Sequence, residues 1–457
     1  MTYFPGKRGE QSVKVFNTTA NCIPEENYMV DISERLKEIK KMVDEKKYFT
    51  INRARQYGKT TTLKELANDL RDEYCVLSLD FQKISNASYR TEEAFIKAFS
   101  RIVLQKREQT DMPSGIAAQL KDYVHRKEDE ALLDELFSTL TEWCEISAKP
   151  IVLLIDEVDT ASNNQVFLDF LAQLRSGYLK RKTIPAFQSV ILAGVTDVKH
   201  LKVKIRPDEM HKENSPWNIA ADFTIDMSLS ETGIKGMLDE YDADHQIGMD
   251  TGAIAILITE YTNGYPFLVS RICQLIDKDI AETISQKDAW TRQGVEEAVK
   301  LILAENNTLF QSLTKNLDSF PEMKASIRSI LMEGTRLAWN AQQDAIVQMQ
   351  MYGLIRNDHN TVRIANRIFE TMLYNLFLSD EELKNNVFSK AGELAGNQFV
   401  TDGKLNMRLI LQRFCETYTE ICGPLVDRFK EKDGREQFLL YLKPIINGIG
   451  NRETSNK

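Results

Sequence analysis

The feature that most constrains this chain is a series of short, near-continuously apolar runs set between long amphipathic stretches. YFTIN (48–52), YCVLSLDF (74–81), PIVLLIDEVD (150–159), SVILAGVTD (189–197) and ADFTIDMSLS (221–230) read as strands. TLKELANDLRDE, EEAFIKAFSRIVLQKR and NQVFLDFLAQLRSGYLKRK, which lie between them, repeat apolar residues at helical spacing. Apolar strands alternating with helices predict an α/β protein whose mostly parallel sheet is covered on both faces.

After Ser230 the strands stop and the pattern turns helical, through GIKGMLDEY, GAIAILITEYT, FLVSRICQLIDKDIA and GVEEAVKLILAE. A compact helical stretch from about Phe320 to Leu376 includes GLIRNDHNTVRIAN, where two strand-like runs flank the turn signal Asn357–Asn360 and predict a β-hairpin. Helices followed by such a hairpin resemble a winged helix. The remainder, beyond DEELKNN, reads as helical again and ends in the polar NRETSNK.

Composition narrows the class. At 457 residues the chain is too long for one ordinary domain, and length alone suggests roughly three. With 42% hydrophobic and 27% charged residues it can bury sizeable cores, and its net charge of −9 argues against nucleic-acid binding through bulk basicity. The six cysteines are scattered without a CxxC, so reduced thiols in a cytoplasm are expected rather than disulfides or a thiolate metal site. The five histidines show no ligand spacing, and no apolar run approaches the ~20 residues of a membrane span. No membrane association is expected.

The first strand leads straight into RARQYGKTT, Arg53 to Thr61. A phosphate-binding loop of the form GxxxxGK[ST] needs inward-facing backbone amides, a lysine for the β/γ-phosphates, a hydroxyl for Mg²⁺ and a following helix N-terminus. Gly58, Lys59 and Thr60 supply the residues, with a strand before and a helix after. Arg53 stands where the pattern has its first glycine; it is expected as a tolerated substitution with its side chain turned outward. PIVLLIDEVD adds an acidic pair at the end of a buried strand. Asp156 is the candidate Mg²⁺ ligand, and Glu157 the group that polarises the attacking water.

In this order, the motifs resemble those of AAA-like P-loop ATPases related to archaeal ATPases and STAND-type NTPases. That group carries a PRQxGKT-type loop, matched here by Arg55, Gln56, Gly58, Lys59 and Thr60. IDEVD matches its second motif, TNGYPFLVSRI (262–272) its GxP motif, and CIPEENYMVDISERLKEI (22–39) the segment near the nucleotide base. The resemblance covers roughly residues 20 to 380. It implies an N-terminal arm (1–25), a P-loop core with a parallel five-stranded sheet (26–230), a helical lid (231–315), a winged-helix-like domain (316–380) and a helical C-terminal segment (381–457). It implies ATP as ligand and Mg²⁺ as cofactor. Nucleotide would be held by Arg55, Gln56, Tyr57, Gly58, Lys59, Thr60 and Thr61, metal by Thr60 and Asp156, with Glu157 and Thr196 catalytic.

Weaker candidates surround that set. Thr196 or Asp197, ending the run SVILAGVTD, stands where this class keeps a polar sensor. Arg206, in a basic stretch with Lys199, Lys202, Lys204 and Lys212, reads as an arginine finger, a DNA contact or a solvated loop. GREQFLLYLKPIINGIGN (434–451) resembles the lead-in to a PD-(D/E)XK nuclease-like domain found fused behind such ATPases. The sequence stops before any strand pair bearing the nuclease acids, so no nuclease activity is expected, and residues after about 430 are expected to be less well anchored.

The leading functional reading is Mg-dependent ATP binding with slow hydrolysis, coupled to the C-terminal domains. A non-hydrolysing, nucleotide-gated binding module and a DNA-binding regulator using the winged helix are the alternatives. Homo-oligomerisation and a protein or DNA partner for the C-terminal domains stay open.

Overall fold

The computed structural model describes residues 14–19, 21–126, 132–162, 164–195, 217–383, 387–395, 399–401, 404–423 and 431–450. The chain forms two compact units, Met1–Ala298 with Met351–Gly353, and Val299–Gln350 with Leu354–Lys457.

The first unit is built on a four-stranded parallel sheet. Helix α1 (Ser33–Asp44) precedes β1 (Tyr48–Asn52), which runs through the loop into α2 (Lys59–Leu70). Strand β2 (Cys75–Asp80) leads to helices α3 (Glu92–Leu104), α4 (Ser114–His125) and α5 (Leu133–Ile146), then β3 (Ile151–Asp156), α6 (Gln165–Lys180) and β4 (Ser189–Gly194). The spatial order is β1-β4-β3-β2. Successive strand side chains point to opposite faces, and the apolar residues divide accordingly. Tyr48, Leu77, Leu79, Leu153, Ile155, Val190 and Leu192 pack with Phe95 and Phe99 of α3, Trp143 of α5 and Phe170 of α6. Phe49, Ile51, Val76, Val152, Leu154, Ile191 and Ala193 pack on the other side against Leu36, Ile39 and Val43 of α1 and Leu63, Leu66 and Leu70 of α2. Each fully buried side chain of this kind contributes about 1.5–3 kcal/mol.

The expected fifth strand, 221–230, does not form. Ala221 makes a single parallel bridge to Phe49, its amide donating to the Tyr48 carbonyl at 2.8 Å. Beyond it, arginines take up backbone acceptors in place of ladder amides. Arg53 Nη2 donates to the Ile225 carbonyl at 2.9 Å, and Arg35 Nη2 to the Ser228 carbonyl at 2.9 Å. Asp226 accepts from the Ser228 amide and folds the chain on itself. The segment is held at the sheet edge by side chains, with Phe223 stacked on Phe49 at 5.9 Å.

Helices α7 (Glu231–His245), α8 (Thr251–Thr262), α9 (Pro266–Leu275) and α10 (Arg292–Ala304) follow. Ser230 and Asp250 cap α7 and α8 by accepting from the amides of Gly233 and Ala253. Pro266 opens α9 where its missing N–H costs nothing. Phe16, Tyr28 and Tyr241 form an aromatic cluster with ring centroids 5.1 Å apart, fixing the N-terminal segment on α7.

In the second unit, Asn307 caps α11 (Thr308–Ser319), followed by α12 (Pro321–Arg328) and α13 (Asp344–Met351). The expected hairpin is present: β5 (Ile355–Asp358) pairs antiparallel with β6 (Thr361–Ile364). Its two-residue turn has His359 and Asn360 both at positive φ, 48° and 62°, the backbone of a type I′ turn. Ala338 bridges Thr361 as a further short rung. Helix α14 (Arg367–Leu383) comes next, then α15 (Val387–Ala395), the short pair β7 (Val400–Thr401) and β8 (Lys404–Leu405), α16 (Met407–Cys422) and α17 (Glu431–Gly450). Contrary to the expected loose anchoring, α17 buries Leu440, Tyr441 and Ile445. It crosses α15 so closely that a Cβ on Gly392 would lie 2.0 Å from the Tyr441 carbonyl oxygen.

Candidate functional site

The loop between β1 and α2 is shaped by its backbone. Gln56 and Gly58 take left-handed conformations, φ 56° and 76°, with Tyr57 between them at negative φ. Such alternation turns successive amides to one side and makes an anion-binding concavity. Gly58 stands at the N-terminus of α2, and its carbonyl accepts from the Thr62 amide at 2.9 Å, closing the first helical turn. The partial positive charge of that helix end faces the same concavity.

Lys59 is 8% exposed, and its Nζ donates to the carbonyls of Arg53 at 2.9 Å and Ala54 at 2.8 Å. Burial pushes its pKa down, opposed by Asp159, Glu157 and Asp156 nearby. A phosphate at the loop would oppose that shift, because a nearby anion favours the charged amine. Thr60 Oγ1 donates to Asp156 Oδ2 at 2.7 Å, bringing together the hydroxyl and the carboxylate that the sequence assigns to the metal. Asp156 Oδ1 accepts from the Glu157 amide at 2.9 Å. Burial raises the pKa of Asp156, and burial together with the Asp156 charge raises that of Glu157. Glu157 is left-handed, φ 57°, which turns the chain sharply at the strand end.

The remaining loop residues fix the loop to its surroundings. The Arg55 carbonyl accepts from the Tyr265 hydroxyl, and Tyr57 meets the Tyr265 ring edge to face at 4.7 Å. Thr61 Oγ1 accepts from the Cys22 amide at 3.2 Å, bringing the N-terminal segment onto α2. Arg53 is not turned outward. Its amide donates to the Gly194 carbonyl at 3.1 Å, and its guanidinium folds onto the Asn52 and Ile225 carbonyls and over the Phe223 ring at 5.2 Å. Thr196, Asp197, Arg206 and the neighbouring lysines lie outside the described residues.

Two participants were missed in the sequence. Asp159 Oδ2 accepts from the Val195 amide at 2.6 Å, holding the end of β4 beside the acidic pair; the third acid of IDEVD was its signal. Tyr265 lies within the GYP turn, beside Gly264 at φ 71°, where a Cβ would come within 2.2 Å of the Leu229 oxygen. A cavity of about 450 Å³ between α5 and α6, reaching Tyr48 and Phe187, lies at the start of β1 and shares no residue with the loop.

A lysine-bearing loop after the first strand of a parallel sheet, with a carboxylate at the end of β3 in contact with it, defines a P-loop nucleotide-binding protein. The model of the AAA-like domain matches residues 30–378, most of the chain, and the chain belongs to that family. Among solved structures it is similar to the Walker-type ATPase PABY2304 of Pyrococcus abyssi, with 14% identity, TM-score 0.50, and coverage of 78% of this chain and 99% of that one. The ADP form of the ORC2 protein of Aeropyrum pernix matches at 11% identity and TM-score 0.42, covering 79% of this chain and 97% of that one. At 14% identity the likeness to the Pyrococcus abyssi protein is one of fold alone. No curated protein matches the chain. No described helix is long and apolar enough to cross a membrane.

Proposed function

We propose that this protein binds ATP with Mg²⁺ at the Arg55–Thr61 loop and hydrolyses it slowly, coupling nucleotide state to its C-terminal domains. The observation that carries this reading is the 2.7 Å contact between Thr60 and Asp156, beside Lys59 and Glu157. These residues fit a magnesium ion. Both contacting atoms are hard oxygens, and Mg²⁺ is commonly held by one or two carboxylates, a hydroxyl, waters and substrate phosphates. When bound, the ion supplies charge neutralisation at the β- and γ-phosphates. Lys59 exchanges its two carbonyl partners for phosphate oxygens, and the loop amides bind the rest of the phosphate chain. Glu157 orients a water at the γ-phosphate and holds its proton. Thr196 is assigned as the sensor of that phosphate.

The same reading assigns 26–230 to the nucleotide core. It assigns 231–315 to a lid, 316–380 to a winged-helix-like domain and 381–457 to a helical segment. The helices before the β5–β6 hairpin, and the rung at Ala338, support the winged-helix assignment. The six free cysteines support a reducing, cytoplasmic setting.

ATP turnover by the purified chain beside its Glu157→Gln variant, with binding measured separately, tests the proposal. Turnover in the wild type and its loss in the variant are expected; equal rates would overturn it. Tight binding without turnover in either protein would favour a nucleotide-gated switch. A DNA partner for the second unit is a further reading. Arg356 and Arg363 are direct cross-strand partners in the hairpin and both exposed, though Asp358 lies 3.9 and 3.6 Å from them. DNA affinity that falls steeply with salt would support it.

A further inference from the structure

Arg53 belongs to the loop by its backbone and to a neighbouring segment by its side chain. Its amide is pinned to the Gly194 carbonyl at 3.1 Å, extending the β1–β4 ladder by one residue. Its carbonyl accepts from Lys59 Nζ at 2.9 Å. Its guanidinium reaches the Ile225 carbonyl at 2.9 Å and covers the Phe223 ring. Among the described residues, the Ala221 bridge alone holds the backbone of the segment so gripped to the sheet. At its far end the Leu229 amide donates to the Gly264 carbonyl at 2.8 Å. Tyr265, the next residue, returns to the loop through the Arg55 carbonyl and the Tyr57 ring. The contacts form a closed circuit: loop, Arg53, Phe223–Leu229, Gly264–Tyr265, loop.

We propose that Arg53 is a positioning residue that couples nucleotide occupancy of the loop to the segment Phe223–Leu229 and, through it, to the turn at Gly264. The inference rests on the nucleotide-binding reading above. A phosphate at the loop competes with the Arg53 and Ala54 carbonyls for the Lys59 N–H donors, so nucleotide changes the hydrogen bonding of the Arg53–Ala54 peptide. The preceding Asn52–Arg53 peptide is fixed by the Arg53 amide on Gly194, so the Arg53–Ala54 peptide adjusts by rotating its carbonyl about the Arg53 Cα–C bond. The guanidinium, anchored on Asn52 and Ile225, carries the change to the neighbouring segment. A glycine at this position meets the backbone requirement of a standard loop but breaks the circuit.

Hydrogen–deuterium exchange of the full chain, with and without ADP and Mg²⁺, tests this in wild type, Arg53→Gly and Arg53→Lys. In the wild type nucleotide should slow exchange of the 223–229 amides. In Arg53→Gly nucleotide should still bind, but that slowing should shrink by about tenfold, the scale of one charge-assisted hydrogen bond. Arg53→Lys keeps a cation over Phe223 without the paired donors and should fall between; it carries the test if the glycine variant fails to fold. Equal nucleotide-dependent slowing in variant and wild type would overturn the coupling. Binding in the wild type with no slowing at 223–229 would overturn it while leaving the nucleotide site standing. No binding by the wild type would remove the nucleotide reading, and the inference with it.

Discussion

Thr60 and Asp156 are joined Oγ1 to Oδ2 across 2.7 Å, although β4 separates the strands that lead to them. The loop therefore reaches over its neighbouring strand, and its hydroxyl meets the carboxylate at the end of β3. Replacing Asp156 with alanine should weaken the Mg²⁺-dependent part of nucleotide binding and leave the metal-independent part nearly unchanged. Titrating nucleotide with and without Mg²⁺ by calorimetry checks this.

Lys59→Ala should lower nucleotide affinity by about 10²–10⁴-fold, since two charge-assisted hydrogen bonds to phosphate at about 1.5–3 kcal/mol each are lost. The carbonyls of Arg53 and Ala54 lose a donor in the same variant, so a thermal scan without nucleotide should run beside the calorimetry.

Glu157→Gln should leave binding within a few-fold and cut hydrolysis by about 10²–10⁴, the range of a general base. A single-turnover measurement separates that loss from any change in product release.

The acid side of the activity profile should lie at higher pH than ordinary carboxylates would give. Burial raises both Asp156 and Glu157, so each stays protonated further up the pH scale. As pH rises through those elevated values the carboxylates ionise, the metal ligand and the base become available, and turnover increases. In Glu157→Gln only the Asp156 part should persist, visible in the pH dependence of Mg²⁺-promoted binding.

Gly264→Ala should destabilise the first unit by about 2 kcal/mol or more, because the new methyl meets the Leu229 oxygen and the residue stays left-handed, φ 71°. A lower Tm, with weaker nucleotide binding than the fold loss alone explains, is the expected result.

Much of this was legible in the residues. The four strands that formed are near-continuously apolar runs suited to burial on two faces, and the GKT and IDE motifs follow or close two of them. The hairpin was readable because Asn357 to Asn360 is turn chemistry between alternating residues. The fifth strand misled because Phe223, Ile225 and Met227 alternate with Asp222, Thr224 and Asp226 as an edge strand would. Alternation reports which side chains are buried, and it cannot report that Arg35 and Arg53, far away in sequence, take the carbonyls. The α17 anchoring was missed for a similar reason: its partner is a glycine on α15, and a small residue leaves no periodic signal of its own.

The position of β4 has an evolutionary consequence. Asn52 pairs with Gly194, and Ile155 with Leu192, so the loop and the acidic pair are spaced by two whole inter-strand steps of about 4.8 Å each. Such a spacing is quantised: point mutation cannot stretch it, and only gain or loss of a strand would. The side chains on the covering helices do not set that spacing, while the end of β4 must stay bare, since a Cβ on Gly194 would press within 2.8 Å of Val158. Lineages would then diverge first in the helices, and last in the few atoms where three strand ends meet.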